Sequence, residues 1–335
     1  MNINDNVLLS ELFKKVDQNS KLEYCLLCGR KINSFCNSHV VPRFILKYMT
    51  DEGMISYGQA LNNNSEKISV LKTTKGLNNA FTFRLICEKC DKEKFAEYEQ
   101  PESILNFSDL SFDKKNKILT QMAIKTHLSH ISTKLKIFHL NSIVYPEESQ
   151  FLREQKIPTA YELDLMEHCD YLYKLNKNYK KTSFPFIILY DKLLNYNMDL
   201  ATQTIISYVY DLKGKQNYNP KDLSTSVITR YFYLMILPYN GKTRVLFYIE
   251  KNNVQYVKNI IEQFEEMSES DKLHFLFISL IIYNEQFYMR PSFKDRLLKD
   301  KKLIKLYKGT DSVLDFSRCS EIKNFKKYNN YLLKN

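Results

Sequence analysis

Apolar residues change their spacing along this chain, and each change marks a different kind of structure. Over residues 113–176 they recur at helical intervals: Ile118, Met122, Ile124, Leu128, Ile131 and Leu135, then Tyr161, Leu163, Leu165, Leu172 and Leu175. Steps of three and four residues put such side chains on one helix face. Over 184–250 the apolar residues come in short runs instead: FPFIILY, TIISYVYDL, RYFYLMIL and TRVLFYIE. Runs of that length, rich in β-branched and aromatic residues, predict strands. Asn240-Gly241 separates the last two runs, and Asn-Gly between apolar runs predicts a two-residue hairpin turn over 229–250. Helical spacing returns over 253–284 and 292–307. Strands joined by hairpins, with helices on either side in sequence, predict an α+β domain with a mostly antiparallel sheet.

The first hundred residues are less regular. Val7, Leu8, Leu12, Phe13 and Val16 predict a short amphipathic helix over 5–17. Pro42 and the run from Arg43 to Met49 predict a turn into a second short helix. Residues 51–80 are polar, carry Asn62-Asn63-Asn64, and read as a loop with room for a short hairpin. Phe81 to Ile86 reads as a strand. A helix is expected from Asp91, whose carboxylate suits the positive end of a first turn, and Pro101 is expected to end it.

Cysteines change this picture. Five of the seven fall between residues 25 and 90, four of them as the pairs Cys25/Cys28 and Cys87/Cys90. Two Cys-x-x-Cys turns supply four thiolates, the donor set of a closed, structural Zn²⁺ site. Pairing of this kind fits metal ligation in a reducing compartment better than a disulfide framework. Cys36 with His39 is the alternative ligand pair, but four cysteines already complete one site. His127 and His130 stand at helical i,i+3 spacing without a nearby Cys or acidic partner, so a core or surface role is expected of them.

Charge and length narrow the partner class. The 335 residues carry a net charge of +11, an excess that favours nucleic acid over other partners. Residues 1–100 hold 14 Lys and Arg against 12 Asp and Glu, so most of the excess lies downstream. One cluster, KDRLLKDKKLIKLYK at 294–308, reads as a helix with a basic, solvated face. No basic segment followed by an apolar core opens the sequence, and runs such as Phe275 to Tyr283 are too short to span a bilayer. A soluble, cytoplasmic protein without a membrane partner is expected.

Within residues 22–100 the order of motifs is Cys-x-x-Cys, Ser38-His39-Val40-Val41-Pro42, then Leu85-Ile86-Cys87-x-x-Cys90-Asp91-x-x-Lys94. This resembles the zinc-bearing HNH, or ββα-metal finger, nucleases, and a bacterial subgroup with Ser-His-x-x-Pro and a Cys-x-x-Cys-Asp/Glu…Tyr-Glu tail in particular. The resemblance implies a metal-dependent endonuclease acting on DNA or RNA, with a role in defence against phage. It puts His39 at the catalytic histidine, Asp91 and Lys94 at the helix positions, and the four cysteines at the structural zinc. It implies a catalytic Mg²⁺ or Mn²⁺ held by His39 and Asp91, and it places the catalytic histidine on a strand facing the helix. The chain departs from the family pattern at two metal-site positions: Ser38 stands for the usual aspartate, and Thr82 for the usual asparagine. The division expected is an HNH-like module over 1–110, a helical connecting segment over 111–180, and an α+β domain of unassigned role over 181–335. A zinc-stabilised module that binds nucleic acid or protein without hydrolysis is the alternative, and a partner protein or oligomer that controls activity remains open.

Overall fold

The computed structural model describes residues 11–12, 14–61, 68–69, 74–77, 82–156, 158–179, 186–219, 229–283, 286–308 and 321–333. The expected helix at 5–17 lies partly outside them, and Asn62-Asn63-Asn64 and Phe81 lie outside them. Its described part is helical over 14–19, with Val16 buried. The elements that follow are α1 (Arg43–Tyr48), β1 (Met54–Leu61), β2 (Ile68–Ser69), β3 (Thr74–Gly76), α2 (Glu88–Phe95) and α3 (Pro101–Leu105). Three longer helices come next: α4 (Phe112–Val144), α5 (Pro146–Glu154) and α6 (Ala160–Asn178). Four strands follow, β4 (Phe186–Leu194), β5 (Leu200–Ser207), β6 (Tyr231–Tyr239) and β7 (Lys242–Glu250). The chain closes with α7 (Lys258–Glu265), α8 (Glu269–Tyr283), β8 (Gln286–Met289), α9 (Pro291–Lys299) and α10 (Lys301–Lys308).

These elements form two compact units, neither continuous in sequence. Unit 1 comprises 1–40, 82–96 and 120–181, and unit 2 comprises 41–81, 97–119 and 182–335. This grouping cuts across the consecutive segments 1–110, 111–180 and 181–335, because residues 41–81 add strands to the sheet formed by the C-terminal part.

Unit 2 is built on an eight-stranded sheet of order β2-β1-β8-β5-β6-β7-β4, with β3 also paired to β1. Every pairing is antiparallel, as the alternation of short runs predicts. The β6–β7 hairpin turns at Asn240-Gly241: Tyr239 pairs with Lys242, and the two turn residues have φ of 49° and 80°. Two successive positive φ values are what a two-residue turn matching the strand twist requires, and Asn and Gly tolerate them best. Strand β5 is buried along its whole length, while α7 and α8 bring Ile260, Phe264, Phe275 and Phe277 to the same core.

The structure corrects three local expectations. Among the described residues of 51–80, β1 pairs antiparallel with β2 and with β3, so the short hairpin is present and the stretch holds more strand than expected. The polar run contains β1, whose partner β8 lies more than 200 residues away, so no local turn signal could reveal the pair. Pro101 begins α3 rather than ending the helix before it, the first-turn position where a missing N–H costs nothing. The basic stretch 294–308 is two helices. The Asp300 carboxylate accepts hydrogen bonds from the amides of Lys302 and Leu303 and so caps α10, whose Leu303, Leu306 and Tyr307 turn inward.

One buried charge holds a corner of unit 2. Arg244 on β7 is 2% exposed and fully engaged. It donates to the carbonyls of Ile104 (3.1 Å) and Leu105 (2.6 Å), to Ser108 Oγ (2.8 Å) and to Asp191 Oδ1 (2.6 Å). Removing one member of such a set leaves the other charge stranded, at a cost of about 3–5 kcal/mol. Arg244→Ala should therefore destabilise unit 2 by about that much in urea unfolding. A loss below about 1 kcal/mol would show that water replaces the guanidinium without penalty.

Candidate metal centre and the Asp91 cluster

Unit 1 is organised by two turns that bring four sulfurs together. In the first, the Cys25 amide donates to the Arg30 carbonyl and the Gly29 amide to the Cys25 carbonyl, with Gly29 at φ +68°. That conformation is the one glycine adopts without strain. The second turn runs directly into α2. Cys87 is its N-cap residue, and the Asp91 amide donates to the Cys87 carbonyl. The helix therefore starts at the knuckle itself, three residues before the expected Asp91. Backbone bonds from Leu26 to the Leu85 carbonyl and from Cys36 to the Ile86 carbonyl tie the two turns together.

The sulfurs of Cys25, Cys28, Cys87 and Cys90 all lie within 4.8 Å of one another, and Cys28 and Cys87 are 4.0 Å apart. A tetrahedral zinc with bonds of about 2.3 Å places its ligand sulfurs about 3.8 Å apart. The spacing fits that ion. Electrostatics support the same reading. Burial pushes the Cys25 thiol up, and burial together with the neighbouring sulfurs pushes Cys90 up. Burial also acts upward on Cys28, but the Arg30 guanidinium, 3.4 Å from its sulfur, outweighs it and holds the thiol down to about 6. Four thiols this close resist ionising together unless a cation sits among them, and a coordinated metal supplies that cation. The four cysteines thus form a site that could hold a structural metal such as zinc. It is the only cluster of three or more Cys, His, Asp or Glu with metal-site geometry among the described residues.

Asp91 is the hub of a second cluster beside it. Ser38 Oγ donates to Asp91 Oδ1 at 2.6 Å, and the Cys36 thiol donates to Oδ2 at 3.4 Å. Lys125 Nζ, from α4, lies 3.5 Å from Oδ1 and 4.8 Å from the centre of the Phe95 ring. The Lys125 side chain is 3% exposed, so this is a buried ion pair. Burial and the Asp91 carboxylate push the Cys36 thiol up to about 12, which keeps its proton available for that carboxylate. Cys36 is thus a partner of Asp91, and the alternative Cys36/His39 ligand pair has no support in this arrangement.

The other predicted residues distribute around this cluster. Ser38 pairs with Phe83 in an isolated antiparallel bridge, and the strand expected over 81–86 is otherwise, among its described residues, only the single backbone bonds accepted by Leu85 and Ile86. His39 follows the bridge and is 9% exposed. Lys94 bonds Asn176 Oδ1 and lies over the Tyr179 ring at 4.5 Å, while Asn176 donates to the Leu27 carbonyl. Lys94 therefore ties α2 and the first knuckle to α6. Thr82 lies on the bridge strand, one residue before Phe83.

Fit to a catalytic divalent ion is a separate matter. Asp91 is already satisfied by a hydroxyl, a thiol and an ammonium, and no trio of acids or imidazoles gathers around it among the described residues. This donor set does not fit such an ion. Sequence reading missed Lys125 altogether. Its signal was a lone charge inside an apolar helical stretch, Met122-Ala123-Ile124-Lys125. It also missed His168 of α6, the partner that joins His127 and His130 of α4. His127 and His168 approach through their Nδ1 atoms at 3.2 Å, and all three rings are buried. No protein-family model, no curated protein and no solved structure matches this chain, so the likeness to HNH nucleases rests on the motifs of residues 22–100 alone.

Proposed function

We propose that unit 1 is a zinc-stabilised module directed at nucleic acid, and that its Ser38-His39/Asp91 cluster hydrolyses phosphodiester bonds, with His39 as general base. The observation that carries this reading is the 2.6 Å contact between Ser38 and Asp91 next to His39. These are the positions at which the HNH resemblance expects the reacting groups to converge. The four-cysteine site anchors both sides of the contact, since Asp91 follows Cys90 directly on α2 and Ser38 pairs with the segment leading to Cys87. A neutral imidazole at His39 takes the proton of the attacking water. The positive charge that this geometry supplies at the carboxylate is the Lys125 ammonium. DNA and RNA fit the reading equally, and a part in defence against phage is an extension of it.

A second reading is favoured by the same ion pair. With Asp91 neutralised by Lys125, the cluster works equally as a rigid polar plug in a module that binds nucleic acid without cutting it. One experiment separates the two. The zinc-loaded chain is incubated with plasmid DNA and with RNA, without added metal and with Mg²⁺ or Mn²⁺, beside His39→Ala. Hydrolysis expects cutting by the parent and a loss of at least about a hundredfold in His39→Ala, the usual range for a general base, with zinc content unchanged. A folded, zinc-loaded His39→Ala chain that cuts as fast as the parent would end the assignment of catalysis to this histidine. A parent that binds but never cuts selects the binding module.

A further inference from the structure

We propose that a cleft in unit 1, separate from the Asp91 cluster, is a phosphate site for a nucleic-acid backbone; its ligand class rests on the nucleic-acid partner proposed above. The cleft has a volume of about 240 Å³ and lies where the helix at 14–19, the strand before Cys87 and the middle of α4 meet. At about 30 Å³ per water it holds on the order of eight waters, room for one hydrated phosphate and not for stacked bases.

Its lining is cationic. Lys21, Arg84 and Lys136 face it against a single acid, Asp17. Asp17 pairs with Lys136 at 2.9 Å, which cancels one charge of each sign. Lys21 and Arg84 have no ion pair and no side-chain hydrogen bond among the described residues. Two uncompensated cations therefore share one small cleft.

A buried hydroxyl points to the same ligand. Ser132 of α4 lines the cleft and is 6% exposed. Other hydroxyls on that helix are spent on the carbonyl four residues back: Thr126 on Met122, Thr133 on Ser129, and Ser142 on Phe138. Ser132 makes no such bond among the described residues. The Ser132 hydroxyl is therefore open to the cleft, where a water or a ligand oxygen can meet it. Guanidinium and ammonium only donate and the hydroxyl can donate, a set that suits the oxygens of a phosphodiester.

The placement follows from the strand geometry. Side chains alternate along an extended segment, and Phe83 points into the core at 1% exposure. Thr82 and Arg84 therefore point the other way, toward the cleft. Arg84 is thus fixed by the same bridge that positions Ser38 ahead of His39.

The test measures binding of labelled DNA and RNA oligonucleotides to the full zinc-loaded chain, without divalent metal, across a salt series. Lys21→Gln/Arg84→Gln is compared with Lys174→Gln/Lys177→Gln, an equal charge loss on α6. The cleft pair should weaken binding by about tenfold or more and lower the salt slope by about one, because both cations meet one phosphate. The α6 pair should leave the slope within error of the parent. Ser132→Ala should weaken binding by a smaller factor at unchanged slope, since it removes a donor and no charge. A cleft pair that binds within twofold of the parent at the same slope overturns the proposal. Should the parent bind no oligonucleotide, the nucleic-acid reading fails, and inorganic phosphate and pyrophosphate are titrated into the same proteins. Binding by the parent that is lost in the cleft pair then keeps the phosphate site, and no binding by either ends it.

Discussion

Replacing Cys87 by Ser should drop the zinc content from one ion per chain to none and unfold unit 1, while the sheet of unit 2 keeps its strand signal. The size of the effect follows from what zinc supplies. Structural zinc contributes apparent binding energies of about 10–16 kcal/mol in small zinc domains, more than many domains hold in total. Cys87 joins the site to everything else in unit 1. It is a ligand, the N-cap residue of α2, and its amide donates to Cys25 Sγ at 3.4 Å. Its loss also removes the ion that lets the other three thiols share one site. The core of unit 2 draws on residues 190–332 and includes no part of the site, so its unfolding transition should persist. Elemental analysis and circular dichroism on parent and variant read both effects. Cobalt substitution gives a further check, because four-thiolate Co²⁺ has strong sulfur-to-metal absorption that Cys87→Ser should lack. A parent purified without chelator that carries no stoichiometric metal, and melts at the same temperature as Cys87→Ser, would remove the site.

That site was legible because its information is local. A Cys-x-x-Cys spacing forces a turn wherever it occurs, and two such turns leave few other uses for four thiols. The β6–β7 hairpin was legible for the same reason, since Asn240 and Gly241 state their backbone conformation in the sequence. What escaped notice depends on partners far away in sequence. Strand β1 lies in a stretch that is polar overall, and its distant partner β8, beyond residue 285, makes it an inner strand of the sheet. Lys125 reads as an exposed helix position until the fold brings Asp91 to it from 34 residues away. The four-cysteine module shows both effects. Its cysteines and the first turn of α2 come from local signals, but its expected strands shrink to a single Ser38–Phe83 bridge. The excursion of 41–81 into another unit's sheet draws the chain away directly after Val40.

Lys125 also recasts one of the two departures from the HNH pattern, the serine at position 38. With serine at position 38, the cluster holds one carboxylate instead of two, and one ammonium balances it. An aspartate at Ser38 would add a second negative charge 2.6 Å from the first, more than one buried lysine offsets. Ser38 and Lys125 are thus a matched pair, and the altered position is consistent with a protein-supplied cation.

Lowering the pH from 7 to 5 should unfold unit 1 through its buried histidines. His127, His130 and His168 are 0%, 8% and 2% exposed. Burial holds His127 and His130 down to about 3 and His168 well below its ordinary value, with repulsion among the rings and from Lys134 adding to it. Lys134 is itself paired with Asp164 at 3.0 Å, and the His127 ring stacks on Tyr171. The unfolded chain takes up protons near 6.5 and the folded chain only near 3, so between these values the unfolded state binds more protons. Stability is therefore fully present above 6.5 and falls as the pH drops through that window. Each histidine contributes up to about 1.4 kcal/mol per pH unit, so three contribute an upper limit of about 6 kcal/mol by pH 5. That is comparable to the whole stability of an ordinary domain. Acid also protonates thiolates and releases zinc, so the variant must isolate the histidines. His127→Leu/His168→Leu removes the pair that meets at 3.2 Å and leaves the four cysteines untouched. Its acid midpoint, followed by circular dichroism together with zinc release, should move to lower pH by at least half a unit, while zinc content at pH 7 stays at the parent level. An unchanged midpoint in a folded, zinc-loaded variant would assign the acid sensitivity to the thiolates alone.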